Sequence, residues 1–272
     1  MTNPSAEHGK SVSFERIAPV YDSTRRMSDQ VCIEISREIF AEAGSREGML
    51  IADIGAGTGR FSIPLMIRGC RVIGVDLSPA MLRLMLSKLR REWLSSLQPI
   101  VADAQNLPFR SNYFDAALCF QVLHLIQNWH KVVSEIQHIL RVDAPLVIGE
   151  SVRTGINAEI NEKYKEIRDK HGYHYRRLGA ANMEEALRYL RTSGCSASEP
   201  EDHSWVGRMT VNSVLQGLAD KVYSGTWNVP DEDHHAIIQE LREWANDRYT
   251  NLEISREVTS EFTLSFVRPS KP

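Results

Sequence analysis

Little in this chain commits it early to a structural class. Its four cysteines, Cys32, Cys70, Cys119 and Cys195, lie far apart among 272 residues with no C-x-x-C pair. That excludes a disulfide framework and a thiolate metal knuckle, so no metal site is expected and the four read as reduced core residues. No apolar run approaches bilayer-spanning length. Positive charge is also in short supply: the formal net charge is −3, and the basic pairs Arg25-Arg26, Arg90-Arg91 and Arg176-Arg177 are short enough to be solvated helix ends. A nucleic-acid partner is therefore not expected. Internal repeats and low-complexity tracts are absent, and Met1 to Glu7 shows neither a secretory pattern nor a lipidation site. The expected location is the cytoplasm; monomer and homodimer stay equally open.

What the chain does have is 42% hydrophobic residues, enough for one substantial core plus an insertion. The informative stretch runs from Met49 to Arg60, where a short apolar run ends in Gly55, Gly57 and Gly59 and passes at once into a helix-like pattern. Glycine lets the main chain adopt left-handed dihedrals and lets a ligand approach it, while the helix start offers unpaired N–H groups to an anion. Two further strands end on carboxylates. Arg71 to Leu77 carries Asp76, where α/β nucleotide sites keep an acceptor for a ribose diol, and Pro99 to Ala104 carries Asp103. A nicotinamide site would want glycine where Arg60 stands and has no standing need for Asp103; an adenosyl ligand does, since a carboxylate accepts from the adenine amine.

At these residues the chain resembles the class I S-adenosylmethionine-dependent methyltransferases, in particular the small-molecule type that acts on quinone precursors. Asp53 to Gly59 is similar to the family's glycine motif, Asp76 to its ribose acid and Asp103 to its adenine-side acid. The likeness continues through Tyr113 to Cys119 and Leu146 to Glu150, covering roughly the first half of the chain. The resemblance implies an α/β fold: a Rossmann-like seven-stranded, mostly parallel sheet with an antiparallel last strand, helices on both faces and helical lid insertions. It divides the chain into a cap segment and helix (1–46), a cofactor-binding core (47–153), a lid insertion (154–181), the continued core (182–207), a helical insertion (208–252), and a last strand with tail (253–272).

S-adenosyl-L-methionine is the implied cofactor. Main chain at Gly55, Ala56, Gly57 and Gly59 would take its methionine end, with Asp53 ordering the loop or reaching the amino group through water. Asp76 would accept the ribose hydroxyls with Leu77 against the adenine, Asp103 and Ala104 would read the adenine edge, and Gln121 and Val122 would close the site. His124, at the carboxyl edge of the fourth strand, either faces the acceptor or holds the next helix by a main-chain bond. Tyr21, in a segment similar to the family's F-x-x-x-A-x-x-Y-D entrance, and His174 and Tyr175 in the first insertion complete the acid/base candidates. Cys119-Phe120-Gln121-Val122 stands where amino-methylating nucleic-acid enzymes carry an Asn/Asp-Pro-Pro-aromatic sequence, which points to a small-molecule acceptor with a hydroxyl, carboxyl or carbon nucleophile. An RNA or protein methyltransferase, and a protein that binds the cofactor without turnover, are the alternatives.

Individual elements follow from local signals. Ser28 is expected to cap a helix ending at Gly44, and Ser78-Pro79 to open another whose basic end, Lys88 to Arg91, suits the helix dipole. Ser198 to Val206 reads as the sixth strand, and Thr259 to Val267 as an edge strand with period-2 alternation.

Overall fold

A computed structural model describes residues 11–269; the stretch from residue 1 to about 12, which reads from its sequence as disordered, lies mostly outside them, and Ser11 bridges Ile126. In chain order the helices are α1 (Tyr21–Thr24), α2 (Asp29–Glu42), α3 (Ser62–Ile67), α4 (Pro79–Ser87), α5 (Trp129–Ile139), α6 (Gly155–Lys170), α7 (Met183–Thr192), α8 (Val211–Ala219) and α9 (Asp231–Arg248). The strands are β1 (Leu50–Ile54), β2 (Arg71–Asp76), β3 (Leu97–Val101), β4 (Ala116–Phe120), β5 (Leu146–Val152), β6 (Cys195–Ala197), β7 (Glu201–Met209) and β8 (Arg256–Pro269).

They form one sheet in the order β3-β2-β1-β4-β5-β8-β6, with β7 also on β8. The first five strands are parallel and every pairing of β8 is antiparallel. All five residues of β1 and of β4 are buried, as central parallel strands require. The chain winds outward from β1 through β2 to β3 and then returns to β4 on the other side of β1. This reversal opens a crevice at the carboxyl ends of β1 and β4, the place where ligands of open α/β sheets bind.

Alternate strand residues feed two cores. Ile51, Val72 and Leu118 meet Ile35 and Ile39 of α2, Leu65 of α3 and Met85 of α4. Ala52, Ile54 and Ala117 meet Val132 and Ile136 of α5 and Leu187 of α7 on the opposite face. A third core lies off the sheet, where Tyr164 and Ile167 of α6, Leu215 and Leu218 of α8, and Ile237 and Leu241 of α9 pack together. The two insertions, far apart in sequence, thus make one helical cap.

Several expectations are corrected. The sheet has eight strands because a short one precedes the expected sixth: β6 pairs with β8, the chain breaks at Ser198 to Pro200, and the strand expected over Ser198 to Val206 pairs with β8 from Glu201 to Met209 as β7. Proline lacks the N–H a ladder needs, and the Ser198 hydroxyl accepts from the Phe266 N–H at 3.1 Å across the break. For the same reason β8 is no edge strand; it runs between β5 and β6/β7, with Phe262 and Leu264 fully buried. The fourth strand stops at Phe120 because Gln121 turns to φ 59°. Ser28 precedes α2 without a side-chain cap bond, whereas the Ser78 hydroxyl accepts from the Met81 N–H at 3.2 Å with Pro79 at the first helical position.

Candidate functional site

The turn after β1 is held by main chain at both ends. The Gly55 and Ala56 N–H groups donate to the Val75 carbonyl at 2.7 and 2.9 Å, and the backbone is left-handed at Gly55, Gly57 and Gly59, with φ of 77°, 55° and 81°. A Cβ on Gly55 would lie 2.1 Å from Val122 Cγ2, directly across the crevice, so the turn and the end of β4 approach as closely as atoms allow. Gly59 serves packing instead, since a Cβ there would meet Met85 Cγ at 2.5 Å.

Asp76 ties this turn to the next helix. One carboxylate oxygen accepts from the Gly57 N–H at 2.9 Å and the other from the Ser78 N–H at 2.8 Å. Burial raises its pKa, and those main-chain donors pull it back down. Asp103, just beyond β3 rather than on it, accepts from the Gln105 N–H at 2.9 Å and from the Ser11 hydroxyl at 3.3 Å. Both acids line one large cavity together with Gly55, Gly57, Leu77, Ala104, Gln121 and Val122.

The remaining cofactor candidates stand behind that wall. Asp53 is buried and accepts from the Ser62 hydroxyl at 2.6 Å, so its carboxyl braces the start of α3 and does not reach the cavity. Burial pushes its pKa up to about 6, against the pull of the Ser62 hydrogen bond. Ala56 and Gly59 also lie outside the cavity wall.

The segment before α2 closes over the turn through contacts that local patterns do not announce. The Glu15 carboxylate accepts from the Ala80 N–H at 3.0 Å and from the Ser78 hydroxyl, capping α4 from outside. Asp22 accepts from the Thr58 hydroxyl at 2.6 Å and pairs with Lys88 at 2.6 Å, while Lys88 also donates to the Thr58 carbonyl at 2.8 Å. Lys88, expected merely to suit the helix dipole, is one post of this latch. The Arg60 guanidinium, standing where a nicotinamide motif wants glycine, donates to the Arg25 carbonyl.

Of the four acid/base candidates, the structure gathers three at the cavity. Tyr21, Tyr175 and His124 line it, whereas His174 is turned to solvent, 3.9 Å from Asp169 and outside the wall. His124 offers its main-chain carbonyl to the Gly179 N–H at 3.2 Å, so it helps to anchor the chain entering α7 as well as facing the cavity. Burial, then Arg177 and Arg153, push its imidazole pKa down to about 3, which keeps the ring neutral.

Sequence reasoning passed over Arg153 and took Tyr223 only as an insertion aromatic suited to an apolar or aromatic acceptor. Both line the cavity, and the Arg153 guanidinium lies 5.4 Å from the Tyr223 ring. The available signal was position: a charged residue just past a parallel strand, here β5, sits at the ligand-binding edge. Trp205 of β7 also lines the cavity, while Trp227 lies tilted against Phe14 with ring centroids 5.2 Å apart and Tyr173 donates to Asp233.

The doubly wound sheet, the glycine turn at its switch point and the acids at the ends of the two strands beyond stand together at one crevice. Residues 52–148 match the family described as Methyltransferase domain. The chain is 30% identical over 138 residues to the demethylmenaquinone methyltransferase of Renibacterium salmoninarum, covering 50% of this chain and 56% of that one. The enzyme of the same name from Streptomyces avermitilis is 30% identical over 148 residues, with 53% and 60% covered. The chain thus spans little more than half the length of these curated relatives. Among solved structures, the Bacillus YcgJ protein superposes with a TM-score of 0.59 at 16% identity over 90% of this chain and 100% of that one. The cyclase SpnF gives 0.59 at 16% identity over 95% and 94%. A Haemonchus contortus phosphoethanolamine N-methyltransferase, solved with S-adenosylhomocysteine, gives 0.50 at 18% identity over 95% and 61%. At such identities the likeness concerns the fold.

Proposed function

We propose that the protein transfers the methyl group of S-adenosyl-L-methionine to a small-molecule acceptor with a hydroxyl, carboxyl or carbon nucleophile. The observation that carries this reading is the single cavity of about 1990 Å³ that joins the glycine turn, Asp76 and Asp103 to a chamber under the α6-α8-α9 cap. Single-ligand pockets commonly measure roughly 300–1,000 Å³, so there is room for cofactor and acceptor side by side. The residues fit the group. Gly55 and Gly57 line the cavity where a methionine moiety would lie, and each acid keeps lone pairs beyond its main-chain bonds for hydroxyl or amine donors. A fold shared with a cyclase leaves the reaction to the site, and it is the site that favours this one.

The cofactor supplies an activated methyl on a sulfonium. The protein's part is positional. The turn and the two acids fix the adenosyl end, the latch through Glu15 and Asp22 holds the entrance segment against it, and the cap excludes water. Such positioning lowers a barrier by on the order of 7–11 kcal/mol in favourable intramolecular cases, so no strong base is required. Where the acceptor must lose a proton, neutral His124 and the phenols of Tyr21 and Tyr175 stand in the same cavity to take it up or relay it. The two insertions pack on each other around a shared core instead of standing splayed apart, which favours a small-molecule acceptor over RNA or protein.

The test is incubation of the protein with a metabolite extract and methyl-labelled S-adenosyl-L-methionine, followed by mass detection. A labelled small molecule formed together with S-adenosylhomocysteine is the expected result. Cofactor binding with no labelled product from any extract would make the protein a cofactor-binding module, and label entering RNA or protein would overturn the small-molecule assignment.

A further inference from the structure

The cavity walls are basic in a chain whose formal net charge is −3. Lys and Arg outnumber Asp and Glu along them ten to six. Most of these cations are engaged: Lys221 pairs with Asp231, Arg168 with Asp169, and Arg208 with Glu257. Arg153 is different. Among the described residues its guanidinium makes no hydrogen bond and no ion pair; its contact is the face of Tyr223. Burial lowers its pKa, Tyr223 and Tyr175 raise it, and Arg177 lowers it, while Arg153 in turn lowers that of Arg25. The Glu150 carboxylate is already committed, accepting from the Met183 N–H at 3.0 Å and standing 3.6 Å from Arg177.

Arg153 is exposed on the cavity wall and, among the described residues, spends none of its donors on protein acceptors, so its fork is open to a ligand there. Arginine's planar fork matches a carboxylate or a phosphate. The position separates this cation from the cofactor's own carboxylate. Arg60 adjoins the glycine turn, whereas Arg153 follows β5, beside the turn after β4 that carries His124.

We propose that Arg153, with Arg177 on the same cavity wall and Tyr223 covering one face, is the anchor for a carboxylate or phosphate group on the methyl acceptor. This rests on the methyl-transfer reading and narrows it: the acceptor is a small organic acid or phosphate ester, where a neutral ring system alone would leave the guanidinium unmatched. Arg153 touches the anchoring group and not the reacting atoms, so it is a binding residue for the acceptor.

The experiment uses the full chain saturated with S-adenosylhomocysteine and titrated calorimetrically with benzoate, phenyl phosphate and neutral benzamide. At least one anion is expected to bind tenfold or more tightly than benzamide, and the better of the two identifies carboxylate or phosphate as the anchor. Arg153→Gln should erase that preference and Arg153→Lys should keep part of it. Equal affinity for all three probes, undetectable binding of both anions, or an unchanged preference in Arg153→Gln overturns the inference. The preceding titration with S-adenosylhomocysteine is a separate readout: binding there with no anion preference sinks this inference alone, and no binding there sinks the reading on which it rests.

Discussion

The two halves of the cavity are built in opposite ways. The half at the strand ends is made of main chain and short acids: the Gly57 and Ser78 N–H groups donate to Asp76 across 19 and 2 residues, and the Gly55 N–H donates to the Val75 carbonyl. The half under the cap is made of long side chains from distant segments, with Arg25 of the entrance lying 5.3 Å from the Tyr223 ring and donating to the Val222 carbonyl at 2.7 Å. The first half can hold an invariant ligand because its donors are fixed by backbone geometry. The second can be changed by substituting side chains, which is the behaviour wanted of a pocket that chooses the acceptor.

If the halves are this separate, damage to one should spare the other. Leu241→Ala in the cap core, where Leu241 is fully buried, should cost about 2–5 kcal/mol. Hydrogen exchange should then quicken in α6, α8 and α9 while β1 and β4 stay protected; loss of protection throughout would mean the cap and the sheet form one cooperative unit. Gly55→Ala should cost cofactor binding about 3 kcal/mol, combining a left-handed backbone with a Cβ against Val122. Calorimetry with S-adenosylhomocysteine should show a hundredfold or greater loss, and near-normal affinity would mean that the turn does not touch the cofactor.

A smaller effect is expected at Asp76. Asp76→Ala should weaken S-adenosylhomocysteine by about 1–3 kcal/mol through loss of charged hydrogen bonds, with the melting of the cap unaltered. Asp53 should give the smallest signal, read in stability alone. Its pKa is raised from 3.8 to about 6, so between those values the folded protein binds more protons than the unfolded chain. Stability should therefore fall as pH rises from about 4 through about 6 and level off above, and Asp53→Asn should flatten that slope. An unchanged slope in Asp53→Asn would assign it to other carboxyls.

The same division governs what was legible in the amino-acid order. Asp53 through Gly59, Asp76 and Asp103 stand out because strand, turn and helix place them by local rules, and the full burial of the apolar runs in β1 and β4 follows from the same rules. Asp53 reads as a ligand group from its place in the motif, yet one hydroxyl, that of Ser62 nine residues on, decides that it faces inward. The break between β6 and β7 was marked by Pro200 but depends on Ser198 finding Phe266 across the sheet. Arg153, Arg177 and Tyr223 carry no local pattern, because what joins them is the docking of two insertions about 50 residues apart on the rim of the sheet. His174 has the chemistry of a base, but only the path of the chain after α6 shows that it points to water.

The central claim is that the carboxylate of Asp76 grips the ribose of an adenosyl ligand at the crevice between β1 and β4. A diffraction structure of the protein with S-adenosylhomocysteine tests it most directly, by the distance from that carboxylate to the ribose hydroxyls. The account predicts about 2.5–3.0 Å, with the adenine beside Asp103. A ligand seated elsewhere, or ribose hydroxyls bonded to other groups while Asp76 keeps only Gly57 and Ser78, would contradict it.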